Sequence, residues 1–104
     1  MSRKRANKEE RAYFQLLVEY GCIACRNMFG VYSIPEIHHV RNGQGMGQRA
    51  DHYSVLPLCP QHHRACYTTG FHAAPETWQQ IHGSERELLE QVIQEVKELR
   101  LCRV

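Results

Sequence analysis

Cysteine and histidine fall in three tight groups along this chain: Cys22-x-x-Cys25, His38-His39 and Cys59-x-x-His62-His63. Nothing else in the sequence limits the fold as strongly. A pair spaced by two residues presents both ligands from one turn, and two such pairs close a tetrahedron only if the segments carrying them meet. Residues 22–25 are therefore expected beside residues 59–62, with the histidine doublet on the chain between them.

Size makes a metal useful. At 104 residues the chain forms one small domain over 1–104, and short chains bury a modest core that a bound ion can supplement. The five cysteines are an odd number, and their ligand-like spacing favours metal over disulfides. No apolar run is long enough to span a bilayer. The N-terminus is basic but lacks the apolar core of a secretory signal. Both points favour an intracellular setting with reduced thiols.

The net charge of +2 is uninformative, but its distribution is not. Residues 1–11 carry Arg3, Lys4, Arg5, Lys8 and Arg11 against Glu9 and Glu10, and residues 26–74 carry Arg26, Arg41, Arg49 and Arg64 against Glu36 and Asp51. The last thirty residues are net acidic. A basic first half beside an acidic tail fits a polyanion held on one side, and fits an ordinary solvated surface about as well.

The local pattern reads as α+β. Residues 1–6 form a flexible basic arm. A helix starts at Asn7 with Tyr13, Phe14, Leu17 and Val18 on one face and stops at Gly21. Cys22–Cys25 follows in a tight turn, then a loop leads to a strand near Ile37–Val40. Asn42–Gln48 is a glycine-rich loop that suits neither helix nor strand. Val55–Leu58 is a short strand, held to an edge or strand end by Pro57. Pro60 opens a short helix from Gln61 to about Tyr67. A second short helix spans Pro75–Ile81 and stops at Gly83. Ser84-x-x-Glu87 is a capping box for a C-terminal helix over 85–101, striped by Leu88, Leu89, Val92, Ile93, Val96 and Leu99.

Two kinds of metal chemistry follow from the ligand groups. Cys22, Cys25, Cys59 and His62 would hold a closed, structural zinc. Cys66 is a candidate to replace His62, and buried free thiols are the plain alternative. His38 and His39 are adjacent on a strand, so their side chains point to opposite faces and should differ in role. His63 lies about 100° round the helix from His62 and faces elsewhere. A second ion held by His38, His63 and His72 would keep positions open for water and phosphate. His39, neutral near pH 7, could then deprotonate an attacking water, with Arg41 or Arg64 offsetting the developing charge. Satisfied surface or core histidines are the plain alternative.

The run His38-His39-Val40-Arg41-Asn42-Gly43-Gln44-Gly45-Met46-Gly47, followed by Pro57-Leu58-Cys59-Pro60-Gln61-His62-His63, resembles the HNH (ββα-metal) endonucleases of the zinc-knuckle type, and most of all the phage recombination-enhancement (Ref) nuclease group. The resemblance implies a small zinc-stabilised ββα-metal core with flanking N- and C-terminal helices. It implies His38, His63 and His72 as ligands of a catalytic Mg2+, Mn2+ or Zn2+, and His39 as general base. It further implies a DNA endonuclease of phage origin working in recombination or DNA processing in the bacterial cytoplasm, with a RecA-type recombinase filament as a possible partner. Two positions depart from the family pattern. Ser54 stands where an Asn buttresses the loop before the second strand, leaving that task to Ser54, Asp51 or Tyr53, or leaving the loop looser. Tyr67 stands where the last histidine of the motif often lies, and His72 comes later.

Arg3, Lys4, Arg5, Arg41 and Arg49 are the expected nucleic-acid contacts, made mainly to phosphates. The competing reading is a non-catalytic zinc-stabilised nucleic-acid-binding module. A third is an interaction protein that docks through its C-terminal helix.

Overall fold

The computed structural model describes residues 8–40 and 54–102. In chain order these residues form α1 (Lys8–Tyr20), α2 (Ile23–Phe29), β1 (Glu36–His39), β2 (Val55–Leu58), α3 (Pro60–His63), α4 (Pro75–His82) and α5 (Glu85–Cys102). This is the expected α+β architecture: an antiparallel ββ hairpin followed by a short helix, flanked by helices on both sides.

The hairpin is short and firmly registered. Glu36 pairs with Leu58, Ile37 with Pro57, His38 with Leu56 and His39 with Val55. The β2 side chains from Val55 to Leu58 are all buried, because α1, α2 and α5 pack against this strand. Pro57 is accommodated because a two-stranded sheet consists of edges. The connection between the strands includes the glycine-rich segment, which lies outside the described residues. Val40 closes the described side of it, donating its N–H to the Ser54 carbonyl at 3.0 Å.

α1 buries Tyr13, Leu16, Leu17 and Tyr20, the i, i+3, i+4, i+7 stripe of an amphipathic helix. Sequence reading placed Val18 on that stripe and omitted Leu16 and Tyr20; Val18 is 37 % exposed. Tyr20 also donates its hydroxyl to Glu95 and so joins the two terminal helices. Gly21 ends α1 with φ of +89°. A Cβ there would lie 2.6 Å from the Tyr32 ring, so only glycine fits both the backbone and the space.

Two expectations need correction. The turn at Cys22 is the start of a helix: Cys22 is the N-cap of α2, and its sulfur accepts the Cys25 N–H at 3.4 Å. Cysteine is not among the usual capping residues, so the helix start left no mark. The helix after Pro60 is one turn long, not the expected 61–67. Arg64 adopts an extended conformation and its N–H caps back to the Pro60 carbonyl.

The capping box forms as expected. The Ser84 N–H donates to Glu87 Oε1 at 3.0 Å, and the Glu87 N–H donates to Ser84 Oγ at 3.1 Å. α5 then buries Leu88, Val92 and Val96, with Leu89 and Leu99 partly covered. Ile93, placed on the same stripe by sequence, is 46 % exposed, because it lies about 100° round the helix from Val92, off the line set by Leu88, Val92 and Val96.

Candidate functional site

Cys22, Cys25, Cys59 and His62 converge as one buried group. Cys22 and Cys25 come from the start of α2, and Cys59 and His62 from the N-cap and third residue of α3. A tetrahedral zinc with usual bond lengths sets sulfurs about 3.8 Å apart and sulfur from nitrogen about 3.5 Å. Cys25 Sγ lies 3.8 Å from Cys59 Sγ, and His62 Nδ1 lies 3.2 Å, 3.5 Å and 3.7 Å from the sulfurs of Cys59, Cys25 and Cys22. The sulfurs are too far apart for a disulfide, and the donor set suits zinc. Burial keeps His62 below the usual imidazole range, which favours the neutral, ligating ring. Burial pushes the Cys22 thiol up to about 12, so an ion entering this site must displace protons.

Cys66, the alternative to His62, is exposed. Because α3 ends at His63, residues 64–69 turn outward and carry Cys66 away from the cluster. This buried Cys3His group ties α2 to β2 and α3, and is consistent with a zinc-stabilised ββα core.

A second group stands beside the first. His38, His63 and His72 bring their ligand nitrogens within 4.8 Å of one another, with ring centroids 4.9 to 5.2 Å apart. His38 reaches the group from β1, His63 from α3, and His72 from a returning loop. That loop is stitched to α3 by backbone: the Phe71 N–H donates to the His62 carbonyl at 2.8 Å, and the His72 N–H to the His63 carbonyl at 3.2 Å. Residues nine positions apart thus become neighbours. Gly70 makes the return possible, since a Cβ there would lie 1.9 Å from the Arg64 carbonyl oxygen.

Two of the imidazoles are oriented by carboxylates. His38 is 1 % exposed and donates Nε2–H to Glu85 Oε2 at 2.6 Å; Glu85 is 3 % exposed. Phe71 lies against the other side of the His38 ring, with centroids 4.5 Å apart. His63 donates Nδ1–H to Glu36 Oε1 at 2.9 Å, and Arg64 donates to the other oxygen of Glu36. Arg64 first, and then His63, hold the Glu36 carboxyl below its ordinary range. A carboxylate accepts and does not donate. In the neutral rings the remaining nitrogens, His38 Nδ1 and His63 Nε2, therefore keep their lone pairs, which a metal ligand requires.

His39 is exposed and, by strand alternation, on the face opposite His38. Among the described residues it lies outside both ligand groups. Arg64 is engaged with Glu36. Arg3, Lys4, Arg5, Arg41 and Arg49, together with Asp51 and Tyr53, lie outside the described residues. Sequence reading missed Glu36 and Glu85. Glu36 was findable, because two residues before His38 on a strand is the same face. Glu85 carried no such signal, since it comes from a helix far along the chain. No helix among the described residues is long and apolar enough to cross a membrane.

Comparison with known families finds a match over most of the chain. The model described as "Recombination enhancement, RecA-dependent nuclease" covers residues 6–97. No curated protein matches the chain.

Proposed function

This chain belongs to the recombination-enhancement, RecA-dependent nucleases, an HNH-type family, and on that premise we propose that it hydrolyses DNA phosphodiesters at the imidazole cluster, with His38, His63 and His72 holding a divalent ion and His39 acting as general base. It is a nuclease by family, and its family context is DNA and RecA; the assignment of residues is our reading. The observation that carries it is the convergence of three imidazoles from three separate segments, two of them donating to carboxylates.

The residues present fit a hydrolytic ion. Three nitrogen ligands leave coordination positions for substrate, whereas the Cys3His group is full with four. An ion bound there would neutralise a non-bridging phosphate oxygen and stabilise the leaving oxygen. His38 is fixed between Glu85 and Phe71, so it presents one nitrogen without reorganisation. His63 is aimed by Glu36, and His72 by its backbone bond to His63. His39, exposed on the neighbouring position of β1, lies outside both ligand groups and would take a proton from water near pH 7. Arg64, beside Glu36 at the rim of the cluster, is the described cation closest in chain to the ligands and would offset charge on the phosphate. Arg41 is assigned the same task from sequence alone.

Plasmid nicking with Mg2+ or Mn2+, with and without RecA, tests this reading. Wild type should nick, and His39→Ala should lose about 10²–10⁴-fold in rate while keeping its fold and DNA affinity. Equal nicking by both proteins would remove His39 from the chemistry.

Family membership favours this reading over a binding-only zinc module. Docking through α5 has less support, because its Leu88, Val92 and Val96 are already buried against the rest of the domain.

A further inference from the structure

Glu85 is the most completely buried carboxylate among the described residues, and it comes from α5, outside the hairpin and short helix that supply the imidazoles. Its position is tightly determined. Ser84 and Glu87 fix the first turn of α5, and the Glu85 N–H donates to Gln79 Oε1 at 3.0 Å. Its side chain then runs inward to His38 Nε2 at 2.6 Å, with both residues almost fully removed from solvent. Burying a carboxylate is costly unless a strong partner meets it. The contact here is short and charge-assisted, and the first turn of a helix favours the negative charge. Glu36, the corresponding group on His63, is 26 % exposed and shared with Arg64.

We propose that Glu85 is a positioning residue for the catalytic ion: it holds His38 in the Nε2–H tautomer, turned so that Nδ1 faces His63 and His72. The inference rests on the reading of those three histidines as ion ligands, and deepens it by making α5 a working part of the site. Without Glu85, the His38 ring can flip or exchange tautomers inside the domain, and in the wrong state it offers an N–H where a lone pair is needed. Partners of this kind typically change metal affinity by about 10–100-fold.

The test uses the zinc-loaded full chain. Histidine ¹⁵N–¹H NMR on wild type should find His38 protonated at Nε2; protonation at Nδ1 alone overturns the inference. Mn2+ uptake should then be measured for wild type, Glu85→Gln and Glu85→Ala, with zinc content as control. Glu85→Ala should keep one zinc per chain and bind Mn2+ about 10–100-fold more weakly. Nicking by this variant should recover when Mn2+ is raised, with KM for DNA unchanged. Glu85→Gln, whose amide oxygen still accepts a hydrogen bond, should fall between the two and retain the tautomer. It keeps the test decisive if Glu85→Ala does not fold. Wild-type Mn2+ affinity in a folded Glu85→Ala, or in Glu85→Gln with an altered tautomer, overturns the role of Glu85 alone. A wild type that takes up no Mn2+ overturns the ion site itself, and this inference with it.

Discussion

The backbone N–H of His72 donates to the carbonyl of His63 across a gap of nine residues. That bond and the Phe71–His62 bond beside it bring the last imidazole into the cluster, and the tight return at Gly70 is what permits it. The family pattern looks for this histidine one helical turn after His63, where Tyr67 stands. Here α3 ends at His63, so no helix reaches residue 67, and a loop does the work of a helical turn.

Gly70→Ala tests this return. The added Cβ would overlap the Arg64 carbonyl, so the backbone of 64–70 must shift. The expected result is a loss of at least about 1–3 kcal/mol in stability, measured by denaturant unfolding. Second-site ion affinity should weaken while zinc content stays at one per chain. Unchanged ion uptake would show that His72 is dispensable.

Cys59→Ser should abolish tight zinc binding, since three remaining ligands cannot close the tetrahedron. Metal analysis should fall from one zinc per chain towards none, with cooperative unfolding lost. Stripping zinc from wild type with a strong chelator should have the same effect. Added Mg2+ alone should not restore nicking; zinc must be returned first. Nicking by a zinc-free protein would refute the structural assignment.

His82 gives a pH signature. Burial first, and then the neighbouring His62, lower its pKa below the usual imidazole value. The folded protein thus binds this proton less readily than the unfolded chain does. Stability from this source is fully present above the ordinary value of about 6.5, and is lost as pH falls through it toward the depressed folded value. The ring lies 4.4 Å from Trp78, the sole tryptophan, so fluorescence should report its protonation with a midpoint below 6.5. His82→Phe should flatten both the fluorescence titration and the slope of stability between about pH 5 and 7. A slope unchanged in this variant would assign the proton uptake elsewhere.

Gly21→Ala should destabilise by about 1–3 kcal/mol, through a left-handed backbone that alanine resists and a clash with the Tyr32 ring. Tyr32→Ala in the same chain should recover the steric part and leave the backbone part, giving a non-additive pair by thermal unfolding. Strict additivity would mean that the ring moves aside without cost.

The buried Cys3His group was legible in the sequence because spacing is local information. Cys22, Cys25, Cys59 and His62 are two short-range pairs, and the His38-His39 split follows from strand alternation alone. The capping box at Ser84 was readable for the same reason. What escaped was either unmarked or long-range. α2 begins on a cysteine that is at once its cap and a member of the buried Cys3His group. α3 stops after one turn because the chain must return to place His72, which no local propensity encodes. Ile93 belongs to an apolar pattern, but on the helix it points about 100° away from buried Val92. Glu85 meets His38 across the fold, so only packing reveals the pair.

His62 and His63 are consecutive residues of one four-residue helix, the first turned into the sulfur cluster and the second into the imidazole cluster. Inserting or deleting one residue in that turn would rotate both rings by about 100° and strip each centre of a member together. A change of length in this turn would therefore disturb the sulfur-rich group and the imidazole group at once.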